Sequence, residues 1–258
     1  MYDFEKIEPM VFCLSTGRTG TLTLERLFRD SPEALCWHEP LPHISVFPLD
    51  KTRSLWDTRT HLFCQSIKAN VGYVELGAHL TFIAYEISKE LPQSKFLHLI
   101  RDPRYFVRSG VRRGWYKAGR IHAGMCPKEG DMFYKEWPLL AEYERVAWNW
   151  RKRNEWIRTF CETLPKERHL TFYSEDLFAG NRLDVLSNFL GLSLPCGENT
   201  GKILSCPLNS QSEGEFPKVK DWSIETTNRV LRIVEDELVN YTRYAHLLVS
   251  PIIEKEEK

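Results

Sequence analysis

Met10-Val11-Phe12-Cys13-Leu14-Ser15-Thr16-Gly17-Arg18-Thr19-Gly20-Thr21-Leu22 is the stretch whose reading decides the fold. An unbroken apolar run closed by Ser-Thr-Gly describes a strand buried on both faces. Leu24, Leu27 and Phe28 then recur at helical spacing until Asp30-Ser31-Pro32 stops them. Strand, glycine turn and helix in direct succession form a cradle for an anion. Glycines let the backbone approach an oxyanion, successive N–H groups point into the turn, and the helix N-terminus adds partial positive charge. Arg18 adds a full charge and a forked donor suited to phosphate or sulfate. The loop is P-loop-like without being an ATP or GTP loop, because Thr21 follows Gly20 directly and no lysine intervenes. No Gly-x-Gly-x-x-Gly occurs here either. Taken alone, the loop could still be an ordinary tight turn between strand and helix.

Outward from this stretch, short apolar runs alternate with helix-period segments, the pattern of an α/β protein with a mainly parallel sheet. Leu80, Ile83, Ala84, Ile87 and Leu91 predict an amphipathic helix ended by Pro92, and Lys95–Ile100 predicts the next strand. Asp102 reads as an N-cap and Pro103 as the first helical residue. A long helix near 139–162, a strand at 170–173 and a helix at 182–190 stopped by Gly191 follow. A last helix starts at Ser223 and turns Ile224, Leu231, Val234, Leu238 and Tyr241 inward. The expectation is a single domain over 1–258, a central sheet flanked by helices. Residues 114–138 and 193–221, rich in Gly and Pro, read as substrate-side loops or lids.

Composition narrows the function. The chain has 258 residues, 42% hydrophobic and 27% charged, enough to bury a core. Lys+Arg and Asp+Glu are both 35, which argues against a surface given over to nucleic acid or anionic membrane but leaves room for one basic pocket. The seven cysteines are odd in number and include no Cys-x-x-Cys pair, so reduced, buried thiols are expected, with no disulfide framework and no metal site. With no apolar segment at the N-terminus and no apolar run of membrane-spanning length, the chain reads as cytoplasmic. An excised lumenal domain would read the same.

A second anion signal lies at Arg101-Asp102-Pro103-Arg104-Tyr105-Phe106-Val107-Arg108-Ser109-Gly110-Val111-Arg112-Arg113. Arg101 ends a strand, where ligands bind in open α/β sheets. Ser109 and Arg113, four apart, share a helix face that can converge with Arg101 on an anion. Arg104, Arg108 and Arg112 form a separate stripe that reads as solvated.

Together the two motifs resemble those of the sulfotransferases that use 3′-phosphoadenylyl sulfate (PAPS). The resemblance implies that Thr16, Gly17, Arg18, Thr19, Gly20, Thr21 and Leu22 bind the 5′-phosphosulfate. It implies that Arg101 and Ser109 bind the 3′-phosphate, where Arg113, on the face of Ser109, could join them. The arginine in the loop is closer to the carbohydrate and tyrosylprotein branches than to the cytosolic phenol and steroid branch. Trp37-His38-Glu39-Pro40, Leu91–Phe96, Tyr173–Leu177 and Phe189–Leu192 are similar to further family segments, in family order. They make Glu39 the expected catalytic base, with His38 the runner-up, and place Tyr173 near the adenine or the 3′-phosphate side. One position departs from the pattern: where many members carry a lysine that reaches the phosphosulfate, this chain has Leu76. Arg18 alone, or His79, Lys218 or Lys220, must then supply the charge.

The chemistry implied is in-line transfer of a sulfuryl group to a hydroxyl, less readily an amine, with adenosine 3′,5′-bisphosphate (PAP) as product and no metal. The acceptor could belong to a small molecule, sugar, lipid or peptide; Trp115, Tyr116, Phe133, Tyr134 and Trp137 are candidates to touch it. Two rival readings stand: an ATP-dependent phosphotransferase with an atypical loop, and a non-catalytic nucleotide-binding relative.

Overall fold

The computed structural model describes residues 4–40, 50–117, 120–205 and 216–249. Cys206 and the stretches 118–119 and 206–215 of the two expected loops lie outside the described residues. Contacts divide the chain into two compact units, Met1–Arg101 with Trp156–Ser210, and Asp102–Glu155 with Gln211–Lys258.

The first unit carries β1 (Met10–Ser15), β2 (Ala34–His38), β3 (Gly72–Leu76), β4 (Lys95–Ile100) and β5 (His169–Tyr173). They form one sheet in the order β2-β3-β1-β4-β5. Every pairing is parallel, with Val11 opposite Val74 on one side of β1 and Phe12 opposite Phe96 on the other. Because successive side chains alternate, β1 feeds two cores. Met10, Phe12 and Leu14 pack with Tyr73 and Phe96 under α2 (Lys51–Ala69) and α3 (Ala84–Glu90). Val11 and Cys13 pack with Val74, Leu97 and Leu99 under α1 (Thr21–Phe28) and α7 (Leu183–Leu190). Each large side chain so buried contributes roughly 1.5–3 kcal/mol. Coverage of both faces is why the β1 sequence is apolar from Met10 to Leu14. The chain leaves β1 toward β2 and β3 on one side and resumes at β4 on the other. That reversal makes the carboxyl ends of β1 and β4 the topological switch point, the usual ligand position in such sheets.

The second unit carries α4 (Pro103–Val111), α5 (Glu142–Glu162) as far as Glu155, and α9 (Ile224–Leu238). Asp102 accepts a hydrogen bond from the Arg104 N–H at 2.8 Å and caps α4, with Pro103 in its first turn. Ser223 caps α9 by accepting from the Thr226 N–H.

Several elements differ from expectation. The helix anticipated from Leu80 is a 3-10 turn, Ala78–Phe82, followed by α3 from Ala84. Residues 193–221 include a regular helix, α8 (Gly197–Ser205). Ile224 is exposed, since the inner face of α9 begins only at Val230. Helix α2 and strand β3 give no clear sequence signal. The core-facing side of α2 carries Arg59 and Ser66 among Leu55, Leu62 and Phe63, which breaks the apolar period. Strand β3 carries a fully buried Glu75. Tyr116 is buried, donating to the Met125 carbonyl and accepting from Asn149, so it ties its segment down and does not face an acceptor.

Candidate functional site

The loop from β1 to α1 is shaped by left-handed backbone. Gly17 has φ +81° and Gly20 φ +100°, and Arg18 is also left-handed at φ +59°. A side chain costs energy there, and such strain in a non-glycine residue marks sites where geometry is held for function. Gly20 is held twice: a Cβ at 20 would lie 2.9 Å from the Phe178 ring. Gly20 is the N-cap of α1 and brings no capping side chain, so the first-turn N–H groups are not capped from within. Thr19 Oγ1 is buried without a hydrogen-bond partner. An orphaned donor inside an uncapped, glycine-shaped cradle fits a tetrahedral oxyanion.

Arg101 follows β4 and reaches this loop directly. Its Nη1 donates to the Arg18 carbonyl at 2.8 Å, and its guanidinium lies 5.5 Å from the centre of the Phe178 ring. Ser174, at the start of α6 (Ser174–Ala179), donates to the carbonyls of Thr19 and Ile100, so the end of β5 pins both anion loops. Phe178, which sequence reasoning passed over, contacts both loops. Its only sequence signal is its place five residues after Tyr173. Tyr173 is half-buried at the end of β5.

His38 ends β2, and its Nε2 shares a 2.9 Å hydrogen bond with the hydroxyl of Thr21, the first residue of α1. Burial pulls the His38 pKa below the ordinary imidazole value; Glu39 and Glu25 pull the other way, while His79 and Arg18 add to the lowering. The ring is therefore neutral at neutral pH. Glu39 is exposed, left-handed at φ +45°, and its Oε1 accepts from the Ala78 N–H at 3.4 Å. Arg18 and Glu39 thus share an uncommon backbone state.

Leu76 is buried in the core beside Val11 and Cys13 and brings no charge to the site. Charge appears instead in a cluster at Glu75. Arg59 Nε donates to Glu75 Oε2 at 2.7 Å and Nη2 to Oε1 at 2.8 Å, both residues being fully buried. The Tyr73 hydroxyl donates to Oε2 at 2.7 Å, and His79 Nε2 lies 3.2 Å from Oε1. Burial opposes ionisation of Glu75, but Arg59 and His79 outweigh it and hold the carboxyl at about 2.

Ser109 lies on α4 and Arg113 just beyond it, both in the second unit. Arg113 Nε and Nη2 are buried without hydrogen-bond partners, and burial together with Arg112 lowers its pKa. Lys218 and Lys220 also belong to the second unit. There Trp115 stacks on His122 at 3.9 Å, and Trp137 packs edge-on against Tyr116. Among the described residues no group of His, Cys, Asp and Glu could hold a metal, and no helix is long and apolar enough to cross a membrane.

Solved structures share this architecture. The sulfotransferase from Alicyclobacillus acidocaldarius superposes with a TM-score of 0.54 at 13% identity, covering 92% of this chain and 95% of that chain. The sulfotransferase domain of the Synechococcus PCC 7002 olefin synthase gives 0.52 at 17%, covering 90% and 95%. Mouse sulfotransferase SULT7A1, complexed with PAP, gives 0.51 at 11%, covering 95% and 90%. No family model and no curated protein sequence matches the chain. The chain has the fold of the sulfotransferases, an α/β protein around a parallel sheet.

Proposed function

We propose that the protein is a sulfotransferase that uses PAPS as donor and a hydroxyl as acceptor. One observation carries this reading: the hydrogen bond from Arg101 to the Arg18 carbonyl joins two arginine motifs at the carboxyl ends of neighbouring strands. Two anion sites at one switch point suit a nucleotide phosphorylated at both ends. PAPS supplies the activated sulfuryl group. Arg18 and the N–H groups of residues 17–22 hold its 5′ side and offset the charge that gathers on the bridging phosphate oxygen. Arg101 takes the 3′-phosphate; Ser109 and Arg113 are assigned to it by their motif, and Tyr173 to the adenine side. Glu39 removes the acceptor proton as the acceptor O–S bond forms and the bond from sulfur to the bridging oxygen breaks, the electron pair leaving on PAP. Neutral His38 stands as the second candidate base.

Calorimetry with PAP against ATP, the latter with Mg²⁺, tests the donor. PAP should bind and ATP should not; tighter, Mg²⁺-dependent ATP binding would overturn the proposal in favour of a phosphotransferase. Transfer from labelled PAPS to a panel of hydroxyl acceptors then separates an enzyme from a non-catalytic nucleotide binder. Once an acceptor is found, Glu39→Gln should lower kcat by about 100- to 10,000-fold with PAP affinity unchanged. Equal loss of both would make Glu39 structural.

A further inference from the structure

His38 stands where β2 meets the helix that opens from the anion loop. Alternation along β2 turns Ala34, Cys36 and His38 to one face. Ala34 and Cys36 pack there with Leu27 and Phe28 of α1. Two positions on, His38 meets the other end of the same helix. Its Nε2 lies 2.9 Å from the Oγ1 of buried Thr21, the first residue of α1.

That bond can run in either sense, and an anion decides between them. A hydroxyl brings one hydrogen and two lone pairs. If Thr21 donates to the imidazole, it turns lone pairs toward an anion at the helix N-terminus, which repels them. If the imidazole donates, the hydroxyl hydrogen is released to the anion. An anion in the cradle therefore selects the second arrangement, which requires an N–H on His38 Nε2.

The choice also carries charge. Among the described residues, the charged groups that act on His38 are Glu25 on α1, Arg18 in the loop, His79 in the turn after β3 and its own neighbour Glu39. Burial holds the imidazole below its ordinary pKa; the two carboxylates oppose this, and His79 and Arg18 add to it. Glu25 is already engaged twice by Arg29, at 2.8 and 2.9 Å, and Glu39 accepts from the Ala78 N–H. An anion at the start of α1 offsets Arg18 and the helix terminus, and so favours the imidazolium.

We propose that His38 is a positioning residue for the anion cradle: it donates to Thr21, turns the Thr21 hydroxyl onto the bound oxyanion, and takes up one proton from solvent as the anion binds. This role rests on the anion cradle of the sulfotransferase reading and not on which nucleotide fills it. It assigns His38 to the donor side of the site and leaves the acceptor proton to Glu39.

Inorganic sulfate is the probe, because it stays fully ionised around neutral pH, where a phosphate titrates. In magnetic resonance titrations of the full chain, sulfate should shift the amide signals of residues 17–21. It should bind about tenfold more tightly at about pH 5.5 than at about pH 8. A gain in affinity on protonation is the same free energy as a rise in the ring's titration midpoint on binding. Saturating sulfate should therefore raise the midpoint of the His38 ring, assigned by its loss in His38→Gln. His38→Gln keeps an N–H for Thr21 but takes up no proton, so its affinities at the two pH values should agree within about twofold. Thr21→Val removes the hydroxyl and should lose sulfate affinity and most of the pH dependence. A His38 midpoint that sulfate leaves unmoved, or a wild-type pH dependence in either variant, would overturn the proposal and leave the cradle standing. Sulfate that leaves residues 17–21 unperturbed would overturn both. The comparison of PAP with ATP judges the donor independently.

Discussion

The anion loop after β1 and the turn after β3 stand on adjacent strands and are built on opposite principles. The loop makes its site from backbone: two left-handed glycines, a strained Arg18 and an uncapped helix, with positive potential left for a ligand. The β3 turn makes its site from side chains: a buried carboxylate whose charge is matched by Arg59 and shared with Tyr73 and His79. The first gains its energy only when an anion arrives. The second is satisfied within the protein. A binding loop therefore tolerates changes in side chain poorly at its glycines, whereas a buried ion cluster tolerates them poorly at its charges.

Removing a charge from the cluster should have the largest effect. Arg59→Leu leaves Glu75 buried without its counter-ion and should cost about 3–5 kcal/mol in chemical denaturation. The double variant Arg59→Leu/Glu75→Leu should recover most of that loss; a double variant as unstable as the single one would refute the pairing argument. The same pair sets an acid dependence. The Glu75 carboxyl is at about 2 in the folded protein, below its value in the unfolded chain. Its contribution is thus fully present above the unfolded pKa and fades as pH falls toward the folded one. The urea midpoint of wild type should drop across that window more than that of the double variant.

In the loop, Arg18→Gly relieves the φ of +59° and should hold or raise stability by up to about 1 kcal/mol. Transfer should fall by about 100- to 1,000-fold, as when an oxyanion donor is lost. Loss of stability with full transfer would reverse the assignment. The smallest effect is expected for Gly20→Ala. An alanine at φ +100° costs about 1–2 kcal/mol, and Phe178 must also shift. A lower melting temperature and weaker PAP binding should appear together.

The legibility of the two regions follows the same divide. The β1 loop could be read because each of its features is local: an apolar run, glycines at the turn, and a helix period directly after. Asp102-Pro103 and Gly191 were legible for the same reason, being capping residues that act within one turn of their position. Helix α2 and strand β3 were not, because Arg59 and Glu75 each look like surface residues until the other is seen. Leu76 read as a missing lysine; the structure shows a core residue, with the neighbouring charge carried by Glu75 and Arg59.

The sequence by itself determined the sheet-forming runs, the helix starts and stops, and the presence of two arginine-bearing anion motifs, since these depend on residues a few positions apart. Only the tertiary structure decided that Arg101 touches the Arg18 loop, 83 residues away, and that Phe178 serves both. It alone decided that Arg59 and Glu75 cancel and that His79 lies against both. The physical reason is that a buried charge or an orphaned N–H is tolerable only beside its partner, and the partner's distance along the chain places no limit on its distance in space.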